Sequence, residues 1–374
     1  MTGPADLPAP RRLLVVGFRR WRRGSFLPLL RGIAANVLFA PTPEAAARLA
    51  PTPDDALLCW NLPPWLPALQ ALATRHGTPL LRMEDGFLRS VGLGSDLVRP
   101  QSIVLDSRGL YVDPSGPSDL TQLLETAEFT AELCAQAARL RQRIVATGLT
   151  KYNHEPVTVA GASWQAEAAG RRVVLVPGQV ENDASVRLGG GLLQTNAQLL
   201  QAVRMARPDA FIVYKPHPDV LAGNRPGRLS RVASPAAGGP DAVAPDVPLV
   251  TALASADEVH TLTSLTGFDA LLRGMPVVTY GQPFYAGWGL TEDRAPGVHR
   301  ARTLSLDALT AGVLLRYAHY WDWTRNNWCS AELTLERLRG ERETFVLGGR
   351  LRRLARKARA LVRAERNLWG EKIT

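Results

Sequence analysis

Nine short runs of branched aliphatic residues, separated by longer amphipathic stretches, leave this chain few architectures. RLLVVGF, NVLFA, ALLCW, PLLRM and SIVLD occur in the first half, and RRVVLVPG, AFIVYKPHP, DEVHTLT and MPVVTYG in the second. LPALQALATRHG, NAQLLQAVRMARP and LTGFDALLRG between them carry helical spacing. Continuous apolar strands alternating with helices are the signature of a sheet covered on both faces by βαβ units. A chain of 374 residues is too long for one ordinary core and suits two α/β lobes. The expected boundaries are a first lobe over 1–165, a second over 166–305, C-terminal helices packing across the lobes over 306–345, and a basic tail over 346–374. The helical stretch LTQLLETAEFTAELCAQAARLRQRIVATGL should end the first lobe, with HEPVTVAGASWQAEAAGRR as linker. The Gly/Pro/Ala-rich AGNRPGRLSRVASPAAGGPDAVAPDVP reads as a mobile surface loop.

No apolar run approaches the roughly 20 residues that span a bilayer. The N-terminal apolar run is short and followed by arginines, unlike a signal peptide, so it reads as the first strand of a cytoplasmic protein. Cys59, Cys134 and Cys329 are too widely separated for a zinc spacing or a disulfide framework and read as buried or incidental thiols. The net charge of +10 is concentrated in residues 350–374, with nine Lys/Arg against two Glu. In that tail Leu351, Leu354, Ala358, Leu361, Val362 and Leu368 recur at helical spacing opposite the arginines. Such a helix lies on an anionic membrane surface, or is a solvated or partner-docking terminal helix. Nucleic acid is disfavoured, because no stacking aromatics interleave the basic residues.

In doubly wound sheets ligands bind outside the carboxyl ends of the strands. The polar residues following the strands are therefore the candidates: Gln179, Glu181, Asn182 and Asp183; Lys215, His217 and Asp219; Ser264, Thr266 and Gly267. Ser264 and Thr266 stand at a helix start, which either binds an anion such as phosphate or is simply capped. In the first half Glu84 and Asp85 follow a strand, suiting either a general base or a solvated turn. Phe284, Tyr285 and Trp288 in QPFYAGWGL either shape a donor pocket or the hinge between lobes, or pack between the lobes. No Walker motif, strand-end Asp-x-Asp or His/Cys cluster occurs, so neither simple ATP hydrolysis nor a catalytic metal is expected.

Four strings, RMEDGFLRSVGLGSDLVRPQSIVLDSRGLYVD, LVPGQVENDAS, VYKPHPDV and TLTSLTGFDALLRGMPVVTYGQPFYAGWGLTEDR, resemble the capsule polysaccharide biosynthesis family of KpsC type. The resemblance spans roughly residues 12 to 345 and is to a single module, most similar to the second module of two-module members. It implies a glycosyltransferase-B fold, two Rossmann-like lobes with the active site in the cleft between them. The implied reaction is retaining transfer of Kdo, an eight-carbon keto-sugar acid, from CMP-β-Kdo to a Kdo-terminated, lipid-linked acceptor, the β-2,7 linkage favoured over β-2,4. Another Kdo transferase of the capsule pathway is the expected partner, no cofactor beyond the donor substrate and no metal at the catalytic step are expected, and with its basic tail the enzyme is expected to be cytoplasmic and peripheral on the inner membrane face. The His-Pro and Glu-Asp-Gly strings also resemble CMP-sugar-dependent sialyltransferases. By position, Gln179, Glu181, Asn182, Lys215, His217, Pro218, Ser264, Leu265, Thr266 and Gly267 would hold the CMP donor. Asp183 would be the nucleophile of a double displacement, Glu84 the base assisted by Asp85, and His217 with Lys215 the stabilisers of the departing phosphate. A transferase with another donor or a sugar-nucleotide epimerase on the same fold is the alternative enzyme reading, and a binding or scaffold module the non-enzyme one.

Overall fold

The computed structural model describes residues 9–153, 164–229, 233–297, 300–344 and 350–370. Most of the expected linker lies outside the described residues. The chain forms two compact units, one of Met1–Leu110, Lys151–His154 and Val313–Thr374, the other of Tyr111–Thr150 and Glu155–Gly312. In chain order the described strands are β1 Leu13–Val16, β2 Val37–Ala40, β3 Ala56–Trp60, β4 Leu80–Asp85 and β5 Ser102–Asp106. There follow β6 Val173–Pro177, β7 Phe211–Lys215, β8 Ala242–Val243, β9 Glu258–Thr261, β10 Val277–Thr279 and β11 Glu292–Asp293. The last two are β12 Ala318–Asp322 and β13 Asn327–Cys329.

The first unit's sheet runs β13-β12-β5-β4-β3-β1-β2. β2, β1, β3 and β4 are mutually parallel, as βαβ units require. β4 and β5 pair antiparallel, as do β5 with β12 and β12 with β13. The sheet is thus half parallel and half antiparallel, because no long crossover helix separates β4 from β5 and an antiparallel pair needs none. All four residues of β1 are buried and alternate between two cores. Leu13 and Val15 meet Phe26, Leu30, Leu58 and Met83 on one face, while Leu14 and Val16 meet Leu57, Cys59, Leu69 and Leu72 on the other. Cys59 is a core residue, and burial pushes its thiol up to about 12.

The second unit's sheet is entirely parallel in the order β8-β7-β6-β9-β10-β11. Counted from β6, this is the Rossmann order, and it reverses between β6 and β9. The helices Asp119–Thr126 and Ala131–Thr147, which the sequence reading assigns to the first lobe, belong to this unit. The buried face of the second, Ala137, Leu140 and Ile144, supplies the physical reason, together with Arg141, which pairs with Asp307 at 3.0 Å.

Between 306 and 345 the expected helices are interrupted. Helix Leu306–Thr310 and a π-helical turn, Ala311–Tyr317, lead into β12 and β13, followed by helix Ala331–Thr344. Trp321 and Trp328 face each other across this hairpin with ring centroids 5.0 Å apart, a cross-strand aromatic pair that favours strands. Asn326 at φ 49 makes the turn. The basic tail forms helix Arg350–Gly370. Its small face docks on helix Arg20–Arg31: Ala360 and Ala364 are buried, and a Cβ on Gly24 would lie 2.0 Å from the Ala364 carbonyl oxygen. Arg20 pairs with Glu365 at 2.8 Å, and Asn367 donates to the Gly24 carbonyl at 2.7 Å. Leu354, Leu361, Val362 and Trp369 remain exposed. No helix among the described residues is long and apolar enough to cross a membrane.

Candidate active-site residues in each unit

The reversal between β6 and β9 places two loops side by side at the carboxyl end of the second sheet. Gln179 joins them. Its buried side-chain oxygen accepts from the Thr263 N–H at 3.0 Å and its nitrogen donates to Thr263 Oγ1 at 2.9 Å. Its backbone is held by Asn196, the first residue of helix Asn196–Ala206, through bonds of 2.8 and 2.9 Å. Gln179 therefore holds the loops together, and Glu181 acts similarly, accepting from the Asn196 N–H at 2.9 Å.

Asp183 emerges from this frame as the N-cap of helix Ala184–Gly189. Oδ1 accepts from the N–H and hydroxyl of Ser185 at 3.1 and 2.9 Å. Oδ2 faces Arg225 at 3.7 Å, and the same guanidinium donates to Asn182 at 3.1 Å. Asp183 is part-exposed. Arg225 lies in the Gly/Pro-rich segment read as a mobile loop. That segment, of which residues 230–232 are outside the described residues, packs here: Gly227 at φ 132 accepts from Asn196, and a Cβ there would meet the Gln179 carbonyl at 2.6 Å. Arg225 is one of three arginines in that segment, and no periodicity marks it out from the others.

β7 ends at Lys215, which is buried and donates to the Val247 carbonyl. His217 caps helix Pro218–Leu221, with Pro218 at its first position. Its Nδ1 accepts the Asp219 N–H at 3.1 Å, which places the neutral ring's proton on Nε2 as a donor. After β9, Ser264 caps helix Leu265–Leu272 by accepting from the Thr266 N–H at 3.2 Å. Ser264, Leu265 and Thr266 are half-buried at that N-terminus, where the helix macrodipole favours an anion. Gly267 has another use: a Cβ there would lie 2.2 Å from the Tyr285 hydroxyl, which donates to the Ser264 carbonyl at 2.6 Å. Phe284, Tyr285 and Trp288 are core residues, Tyr285 and Trp288 fully buried. Phe284 and Tyr285 pack on Phe268 and on each other, and Trp288 Nε1 donates to the Phe284 carbonyl at 2.8 Å, so of the readings left open by the sequence the three side chains take the packing one, within the second unit. Among the described residues no group of three or more His, Cys, Asp or Glu is arranged to hold a metal.

In the first unit β4 carries Glu84 and Asp85 at its carboxyl end, and the two differ in their bonds. Asp85 is ion-paired at 2.6 Å with buried Arg89, whose guanidinium also bonds Ser90 and the Val98 carbonyl. Glu84 accepts from Asn61 Nδ2 at 2.7 Å and from the Asp85 N–H at 2.9 Å. Asn61 sits at φ 57 just beyond β3, a left-handed conformation that asparagine tolerates.

Residues 55–320 match the family described as capsule polysaccharide biosynthesis protein. The chain is 42% identical over 308 residues to the capsule polysaccharide modification protein LipA of Neisseria meningitidis serogroup B, covering 82% of this chain and 42% of LipA. It is 40% identical over 274 residues to the lipopolysaccharide-processing protein LpsZ of Rhizobium meliloti, covering 71% of this chain and 60% of LpsZ. The chain thus spans less than two thirds of the length of these relatives. Among solved structures it is similar to the Thermosulfurimonas dismutans KpsC β Kdo 2,4 transferase, with TM-score 0.74 and 30% identity over 89% of this chain and 98% of that one. The β Kdo 2,7 transferase of the same KpsC matches with TM-score 0.69 and 31% identity over 88% of this chain and 99% of that one. With the family model matching residues 55–320, most of its length, the chain belongs to the capsule polysaccharide biosynthesis protein family.

Proposed function

We propose that the chain is a retaining β-Kdo glycosyltransferase that takes Kdo from CMP-β-Kdo and adds it to a Kdo-terminated glycolipid acceptor. The observation carrying this reading is its likeness, at 30% and 31% identity, to nearly the whole length of two β Kdo transferase structures. The arrangement of Asp183 supports the double displacement. With Oδ1 bonded to Ser185, Oδ2 is the oxygen left to attack the anomeric carbon. That carbon–oxygen bond forms as the bond to the CMP phosphate breaks, and CMP leaves with the electron pair. The acceptor hydroxyl then forms the new glycosidic bond at the same carbon, the Asp183 ester breaks, and the hydroxyl proton passes to Glu84. Asp85, fixed by Arg89, positions Glu84 through its own N–H. His217 Nε2–H, Lys215, Arg225 and the N-terminus of helix Leu265–Leu272 stabilise the negative charge on the departing phosphate.

One β-Kdo linkage is assigned to the two units described, and any other linkage would be made by another Kdo transferase site. The exposed apolar stripe of helix Arg350–Gly370, beside Arg359, Arg363 and Arg366, would rest on an anionic membrane surface. The deciding experiment incubates the protein with CMP-Kdo generated in place and a short Kdo-terminated acceptor, then measures CMP release and product linkage. A β-linked Kdo product with one CMP released per linkage is expected; an α-linked product, or transfer from a UDP-sugar instead, overturns the reading.

A further inference from the structure

We infer that the first unit carries a carboxylate-binding subsite centred on Arg22. Resting on the acceptor assigned above, this subsite receives the carboxylate of the acceptor's terminal sugar acid. Sheet order in this unit reverses between β1 and β3, so a ligand crevice is expected outside their carboxyl ends. Phe18 follows β1, Trp60 ends β3 with Asn61 next, and Glu84 and Asp85 end β4. Arg22, in the first turn of helix Arg20–Arg31, is brought to the same group. Its guanidinium carbon lies 4.3 Å from the Trp60 ring centroid and 5.8 Å from that of Phe18.

Among the described residues the Arg22 guanidinium meets aromatic rings, Trp60, Trp21 and Phe18, and forms no ion pair with a carboxylate. Its Nε is buried without a hydrogen-bond partner, and burial lowers its pKa from the ordinary value. Other arginines of the chain are matched with carboxylates: Arg12 with Asp55, Arg89 with Asp85, Arg207 with Glu258 and Arg337 with Asp322. Glu84 and Asp85 act on Arg22 through their charge, yet their short bonds go to Asn61 and Arg89. A desolvated guanidinium without a carboxylate partner is costly, and a ligand anion removes that cost. Stacking on the Trp60 face leaves the guanidinium edge as a planar fork, the geometry that grips a carboxylate with two parallel bonds. A sugar acid held there would bring its hydroxyls toward Glu84, the proposed base.

The test compares the Kdo-terminated acceptor with the same acceptor whose terminal carboxyl is reduced to the alcohol, using wild type, Arg22→Gln and Arg22→Lys. Wild type should lose about tenfold to a hundredfold in kcat/KM on the reduced acceptor, mainly through KM. Arg22→Gln should show that loss on the acid and little further loss on the alcohol, Arg22→Lys should fall between, and CMP-Kdo hydrolysis without acceptor should be unchanged in both variants. Equal turnover of acid and alcohol by wild type overturns the subsite, as does an equal loss on both acceptors in Arg22→Gln. Titration calorimetry with free Kdo decides the matter independently of turnover. Binding that vanishes in Arg22→Gln sustains the subsite even if no transfer occurs, in which case the transferase reading falls alone. Binding unchanged by the substitution overturns the subsite.

Discussion

Asp183 caps the helix that follows β6 while Glu84 and Asp85 end β4, and the hydrogen bonds of the three carboxylates give them different work. Asp183→Asn should reduce transfer at least about a thousandfold, equivalent to about 4 kcal/mol of transition-state stabilisation, while CMP still binds by calorimetry. Near-normal turnover would move the nucleophile elsewhere, Glu181 being the next carboxylate on that loop. Asp85→Asn removes the partner of a buried arginine and should lower stability by about 3 to 5 kcal/mol, read as a shifted denaturation midpoint. Glu84→Gln should keep that midpoint and lose about a hundredfold to ten-thousandfold in kcat, as loss of a general base does. Equal stability losses in the two variants would contradict the division of roles. Sequence position alone brings these residues forward, because ligands of such sheets bind outside the carboxyl ends of the strands; it does not separate them, since Arg89 and Asn61 reach them only through the fold.

At the scale of elements, helix Arg350–Gly370 uses two faces. Alanines dock it on helix Arg20–Arg31, and Leu354, Leu361, Val362 and Trp369 stay in solvent. The face gathered by periodicity is the exposed one; the docking face is short alanines, which carry no hydropathy signal of their own. The substitutions Leu361→Ser and Val362→Ser together should weaken sedimentation with anionic vesicles several-fold while leaving the denaturation midpoint unchanged, since neither side chain is buried. Unchanged vesicle binding would rule out this stripe as the contact. Gly24→Leu is the complementary change: it should undock the helix, because the added side chain meets the Ala364 backbone, and a protease should then cut between 344 and 370 faster than in wild type. An unchanged cleavage rate would show that the docking is not held at Gly24.

For the molecule as a whole, stability against acid should be set first in the second unit. His260 lies in β9 beneath Tyr280, with Nδ1 3.1 Å from the tyrosine hydroxyl and Nε2 3.3 Å from Glu258. Burial lowers its pKa from 6.5 to about 4. The unfolded chain therefore takes up a proton below pH 6.5 that the folded protein refuses until about pH 4, so stability is present above 6.5 and falls across that interval. The loss amounts to as much as about 3 kcal/mol. Asp55, held well below the carboxylate range by Arg12, protects the first unit to lower pH. Urea unfolding followed between pH 7 and 4 should show the slope, and His260→Asn should flatten it; a slope that survives the substitution belongs to another group. The sequence by itself determined the nine strands β1 to β7, β9 and β10, the helix start at Ser264 and the pair of α/β units, because burial on both sheet faces and N-capping are local patterns written in neighbouring residues. Only the tertiary structure decided that β5, β12 and β13 run antiparallel, that residues 111–150 join the second unit, that the QPFYAGW aromatics are core, and that Arg225 meets Asp183 while Arg22 lies on Trp60. Each of those depends on contacts between residues far apart in the chain, whose energies come from packing and charge pairing that no local spacing encodes.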